Sequence, residues 1–337
     1  MPLGIRRSES RVNYLANLKP APAGAHSPAS RSRPFAFERS VQCRLARALS
    51  LALFAAPVFA AEATPANPQS AQTWPVQTCD DVTGPGSLRY IATHALSGDT
   101  IDFSQLPTLC GMRDSTITLS SGEIVLHQAS ISLEGPLPGD GTVTLSGAGA
   151  SRVLRHQGYS PYAGTLSISN LRFVDGYVHE TGNTGGGCIM SDANIYMQFS
   201  EVTGCSANSD TGSAYGGGMW ARNADTILKS SEISGNNVGV GTNGAARGGG
   251  LCSQSVHAKY AQIENNLASG GVLGFGEGGG IYASAASISY SSIVKNSATT
   301  WAAESLGRRA PQPRTSATAH SPETMPTLAA VESSCTL

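Results

Sequence analysis

The sequence predicts an all-β chain wound into a solenoid, a parallel β-helix, and three observations carry that reading. Four Gly-Gly-Gly triplets begin at residues 185, 216, 248 and 278, at steps of 31, 32 and 30. Each triplet leads to an Ile/Val-x-x-Asn signature: Ile233 to Asn236, Ile263 to Asn266 and Ile293 to Asn296, with Val202 to Cys205 as a variant first copy. Between triplet and signature, apolar residues alternate, as in Ile195, Met197 and Phe199, or Val256, Ala258 and Tyr260. A fixed period in this range means stacked units, and a side-chain period of two means strand.

The elements follow in chain order. Residues 1–40 are rich in Arg, Ser, Pro and Ala and have no periodicity. They stand upstream of a basic and then apolar run, Arg44 to Ala60, that ends Val58-Phe59-Ala60 before Ala61. That run has the layout of a secretory signal peptide, placed at about 41–60, and it is too short and wrongly flanked for a transmembrane anchor. The mature chain is thus expected to be exported, extracellular or outer-membrane-associated, with no transmembrane segment. For residues 1–40 two readings stay open: a start site nearer Val41, or a long extended signal. Residues 1–60 together are expected to be a disordered extension plus signal.

Residues 61–110 read as a linker and an N-terminal cap, in which Ser87–Leu96 suits a helix closing one end of the solenoid. From 111 to 300 comes the β-helix itself. Its early coils are short alternating runs such as Thr116–Leu119, Ser130–Leu133 and Leu171–Val174, separated by Ser-Gly, Gly-Pro and Asp-Gly turns. In the regular coils equivalent positions stack. Val202, Ile233, Ile263 and Ile293 form one inward row, and Phe199, Ser230, Tyr260 and Tyr290 form another. Asn236, Asn266 and Asn296 form a structural ladder of amides, each supplying the buried partner the next one needs. The Gly/Ser-rich stretches 206–215, 237–247 and 267–277 have the chemistry of loops. After Thr300 the pattern stops, and residues 301–337 have a Ser/Thr/Pro/Ala composition that cannot build a core. They are expected to be a disordered tail, or the mark of a truncated or frame-shifted chain.

Seven cysteines occur, and Cys43 would leave with the signal. In an oxidising compartment the rest are free to pair. Cys79 and Cys110 flank the cap region and form one expected disulfide. Cys188 and Cys205 both depart from the repeat in a single unit, one beside the triplet and one at the ladder position, and form the other. No Cys-x-x-Cys or His cluster accompanies them, so no metal site is expected, and no cofactor.

Gly-Gly-Gly-[Met/Leu/Ile] alternating with Ile-x-x-Asn resembles the repeat of the chlamydial-type polymorphic outer-membrane proteins. The segment Gly84-Pro85-Gly86-Ser87-Leu88-Arg89-Tyr90-Ile91, running on to Gly98-Asp99-Thr100-Ile101-Asp102-Phe103, is similar to the N-terminal region of bacterial secreted β-helix repeat proteins, within the pectate-lyase-like superfamily. The resemblance covers about residues 79–300. It implies a right-handed coil and a place at the cell surface, as an adhesin or a passenger of the outer membrane. This chain has Ile or Val where that family carries Phe, and no outer-membrane barrel follows its repeats.

Composition narrows the function. A chain with 39 Gly, 6% aromatic and 13% charged residues suits a secreted solenoid rather than an ordinary enzyme domain. A net charge of −1 gives no electrostatic pull toward nucleic acid or membrane. The acids of the regular coils fall at different repeat positions, apart from Glu201 and Glu232, whose position continues as Gln262 and Ser292. That pair is the one place for acid–base chemistry, and it reads more simply as a solvated face. The histidines share no repeat position, and none is assigned a role. The second residue after each triplet gives the row Ile189, Trp220, Cys252 and Tyr282, expected to face outward, with Trp220 and Tyr282 as candidate ligand-binding residues. The expected function is adhesion or glycan binding without catalysis, with a cell-surface glycan or a host or bacterial surface protein as partner. The alternative is a polysaccharide lyase or glycoside hydrolase.

Overall fold

A computed structural model describes residues 70–158 and 164–299. The expected signal at 41–60, Cys43 and the tail 301–337 lie outside the described residues. Within them the chain is a parallel β-solenoid of about seven turns with little helix.

Every strand pairing joins one coil to the next in parallel. Val202 pairs with both Phe173 and Ile233, Ile233 with Ile263, and Ile263 with Ile293. The coils build a twelve-stranded sheet and a seven-stranded sheet whose inward side chains form the main core. Alternation explains the filling: along Asn194–Gln198, Ile195 and Met197 point in, while Asn194, Tyr196 and Gln198 are only partly covered. The first coil begins inside the segment expected to be linker and cap. Thr73–Pro75 pairs in parallel with Thr100–Asp102. Asp99 ties that coil by accepting from the Gln72 and Leu96 amides and from Trp74 Nε1, each at 2.8 Å.

The one helix of more than four residues among those described is Leu88–His94. Ser87 starts it by accepting from the Tyr90 amide. It buries Leu88, Ile91 and Ala92 against the main core, beside strand Ile124–Leu126. That strand ends one arm of the twelve-stranded sheet, so the helix covers an edge that lacks a further coil. Cys79 and Cys110 are bonded across this region.

The stretches read as loops are ordered. Strands Ser206–Ser209, Asn237–Val240 and Leu267–Ser269 belong to a five-stranded sheet, and Ala214–Tyr215, Ala245–Arg247 and Phe275–Glu277 to a four-stranded one. Between them lies a second, small core of Ala207, Ala214, Val238, Val240, Ala246 and Ala268. Alternating small apolar residues among the glycines suffice to bury one face of each short strand, which the polar composition conceals.

The amide ladder runs in register. Asn236 Nδ2 donates to Asn266 Oδ1 at 3.0 Å, and Asn266 Nδ2 to Asn296 Oδ1 at 2.9 Å. Each of these amides also donates to a carbonyl of the coil before: Val202, Ile233 and Ile263 in turn. The glycines are shifted by one residue from the expected alignment. Ile189, not Cys188, pairs with Met219, so Gly186 rather than Gly185 is equivalent to Gly216, Gly248 and Gly278. These four share a left-handed backbone, at φ of +62°, +56°, +69° and +58°, which glycine adopts without a steric penalty.

Candidate functional site

The row expected to be outward is buried. In the observed register it reads Met190, Trp220, Cys252 and Tyr282, because of the same one-residue shift. These side chains do turn away from the main core. They are then covered by the four-stranded sheet: Tyr215 stacks on Trp220 with centroids 4.9 Å apart, and Arg247 lies 5.1 Å from the Tyr282 ring while pairing with Glu277 at 2.8 Å. Trp220 is 3% and Tyr282 2% exposed. Neither ring presents a face to solvent, so the premise for ligand binding at Trp220 and Tyr282 fails. Ile189, the remaining member of that expected row, belongs to the main core.

The three most exposed aromatic side chains among the described residues are ones the alternation assigns to the interior. Phe199, Tyr260 and Tyr290 are 57%, 55% and 72% exposed. The cause is the corner between the two large sheets. Each stands directly after a strand, with φ of +48°, +57° and +49°, and Ser230 between them has +48°. A left-handed residue reverses the local direction of the chain, so the side chain leaves the inward set although it keeps the spacing of two. Asn170 holds the same corner one coil earlier at φ +55°, and it is the residue type such a corner ordinarily takes. At the next corner of each coil the left-handed residues are Asp175, Gly204, Gly235, Asn265 and Lys295, none of them aromatic. Bulky rings thus occupy one corner, in a backbone conformation that disfavours them, and without gaining burial.

The surroundings are polar and in register. Tyr260 and Tyr290 stack with centroids 5.3 Å apart. Coil spacing of about 4.8 Å places Phe199 roughly 10 Å from Tyr260, with Ser230 midway. The missing ring at Ser230 leaves an open groove of ≈ 340 Å³, walled by Phe199 and Tyr260 and flanked by Glu201, Glu232 and Gln262. Glu201 pairs with Glu232, Glu232 with Gln262 and Gln262 with Ser292 along the ladder. Arg172 Nε holds Glu201 at 2.6 Å, and Glu232 accepts from Ser234 Oγ at 2.6 Å. On the other flank Lys229 and Lys259 stack in register. Lys229 Nζ is 5.0 Å from the Tyr196 ring, and Lys259 Nζ is 5.1 Å from Tyr260 and 5.9 Å from Tyr290.

Among the described residues no three His, Cys, Asp or Glu side chains gather as metal ligands, and no helix is long and apolar enough to cross a membrane. The chain matches no family model, no curated protein and no solved structure.

Proposed function

We propose that this chain is an exported, surface-exposed solenoid that binds polysaccharide along the corner row of Phe199, Ser230, Tyr260 and Tyr290. The exposure of three aromatic rings in left-handed backbone carries the reading. Each such residue costs about 1–2 kcal/mol that glycine would avoid, and exposed rings return nothing to the core. Rigid aromatic faces supply contact area with little loss of conformational freedom and suit the C–H faces of sugars. A row in step with the coils suits an extended polymer. The flanking Glu232, Gln262 and Ser292 offer acceptors and donors for hydroxyl groups. Export is supported by the signal-like segment at 41–60, by the Cys79–Cys110 and Cys188–Cys205 disulfides and by the resemblance to right-handed surface β-helix repeats.

The pairing of Glu201 with Glu232 beside the same groove favours a second reading, glycoside hydrolysis, in which one carboxyl would protonate the leaving oxygen. Both side chains are only half-buried, Glu201 is committed to Arg172, and the groove is open to water, so binding is the better account. Co-sedimentation with a panel of insoluble polysaccharides tests the proposal. The parent should pellet with at least one polymer, Tyr260→Ala/Tyr290→Ala should not, and no new reducing ends should form. Pelleting of the double variant equal to the parent overturns it.

A further inference from the structure

On the premise that the corner row binds glycan, we infer that the groove over Ser230 selects polymers that carry free amino groups, with Glu232 as the counter-ion of the sugar ammonium. The row itself contains the template. Beside the stacked Tyr260–Tyr290 pair a cation is already seated, because Lys259 Nζ lies within 6 Å of both ring centroids, the range in which an ammonium is attracted to an aromatic ring. The preceding interval, from Phe199 across Ser230 to Tyr260, has the same kind of walls but no resident cation. Lys229, which would supply one, is turned onto Tyr196. An ammonium above Ser230 would sit about 5 Å from the ring-bearing positions on either side by the coil spacing.

The carboxylates decide the sign of the ligand. Glu201 is neutralised by Arg172, whereas among the described residues no basic side chain lies within salt-bridge distance of Glu232. Its hydrogen bond from Ser234 uses one oxygen, Oε1. The other oxygen is available to an N⁺–H donor, and a charge-assisted bond of that kind is about twice as strong as a neutral one. A uronate in the same place would meet Glu201 and Glu232 at close range. An N-acetylated sugar would bring no charge. The lysines on the opposite flank are spent on ring faces, which leaves the acidic flank to set the preference.

Titration of the full chain with soluble 1,4-linked hexamers, β-linked for glucosamine, N-acetylglucosamine and glucose and α-linked for galacturonate, at mildly acidic pH and low salt, reads the selection directly. The glucosamine hexamer should bind about tenfold tighter than the glucose hexamer, in keeping with one cation–π and one ion-pair contact. Glu232→Gln should bring that ratio to within about twofold, and Ser230→Tyr, which fills the groove with a fourth ring, should do the same by exclusion. Both positions are partly exposed, and a thermal melt checks that each variant is folded. Equal affinity for the glucosamine and glucose hexamers, or tighter binding of galacturonate, overturns amine selection and leaves glycan binding standing. Failure of the parent to bind any hexamer overturns both.

Discussion

Cys188 and Cys205 are bonded at the two places where Gly218 and Asn236 touch in the next coil. A Cβ on Gly218 would stand 2.9 Å from Asn236 Cγ, and the same contact recurs at 3.0 Å for Gly250 with Asn266 and at 2.8 Å for Gly280 with Asn296. Glycine is therefore needed wherever the ladder has an amide. The coil before it replaces both members of the contact at once and bridges them covalently, while the Cys205 amide still donates to Asn236 Oδ1 at 3.0 Å. The disulfide ends the ladder and stands in for one of its rungs.

This equivalence predicts a rescue. Closing a loop of 17 residues should contribute about 3 kcal/mol in the chain-entropy model, so Cys188→Ala/Cys205→Ala should lose an amount of that order. Cys188→Gly/Cys205→Asn, which writes the next coil's pair into the disulfide-bonded coil, should regain at least half of it. Urea denaturation of the three proteins measures this. A Gly/Asn variant no more stable than the Ala/Ala variant would show that the two pairs are not interchangeable.

Asn266 sits mid-ladder, 1% exposed, donating to Ile233 O and Asn296 Oδ1 and accepting from the Asn236 amide and side chain. Asn266→Leu removes the buried acceptor of the Asn236 amide and the side-chain donor to Ile233 O and Asn296 Oδ1, and should destabilise by about 1–3 kcal/mol. Equilibrium unfolding checks it, and a loss of under half a kcal/mol would mean that relaxation or water satisfies the ladder.

Much of this architecture is legible in the sequence because the repeat carries it. Val202, Ile233, Ile263 and Ile293 keep their register, the asparagines share one offset, and the two cysteine departures fall in a single coil. The outward row is not legible, for two physical reasons. First, a left-handed corner follows the strand, so Phe199, Tyr260 and Tyr290 preserve the spacing of two while leaving the core, and nothing in residue type marks that corner when its Asn or Gly has been replaced. Asn170, one coil earlier, is the signal that could have found it. Second, the glycine- and alanine-rich stretches pair with one another at low hydropathy, and the sheet they form lies over Trp220 and Tyr282. Periodicity can place a side chain on the far side of a strand, but it does not tell whether another layer covers that side.

The buried row allows a sharper test. Trp220 packs on Tyr215, and among the described residues its Nε1 meets no acceptor. Trp220→Phe should therefore cost less than about 1.5 kcal/mol, as a modest change of shape, while Trp220→Ala should cost about 3–5 kcal/mol for the cavity. Equal losses for the two variants would point to a bond from Nε1 that this account lacks.

Stability should fall in two separate pH windows. Burial pushes the His156 imidazole below its usual range, against the Gln128 carbonyl and the Asp192 charge, which favour the protonated ring. Between the folded value and the unfolded one, near 6.5, the unfolded chain binds more protons, so stability drops as pH falls from about 6.5 and levels once the folded value is passed. Asp81 and Asp99 behave as carboxylates held low. Burial opposes the charge of each, but the Arg89 guanidinium with the Ser120 and Ser121 amides outweighs it at Asp81, and the Leu96 and Gln72 amides with Trp74 do so at Asp99. Their contribution is present above about pH 4 and is lost as pH falls toward their folded values. Thermal melts from neutral to strongly acidic pH should show both steps. His156→Gln should remove the upper one, and persistence of that step would assign it elsewhere.

The most direct test of the whole account is a glycan array probed with the parent and with Phe199→Ser/Tyr260→Ser/Tyr290→Ser, in which all three rings become the residue that position 230 already carries. The substitutions are exposed and should leave the fold intact. The account predicts that the parent binds extended polysaccharides and that the triple variant loses at least about tenfold in affinity for every one of them, as expected when several stacked rings are removed. A folded triple variant that binds the same glycans within twofold of the parent contradicts it.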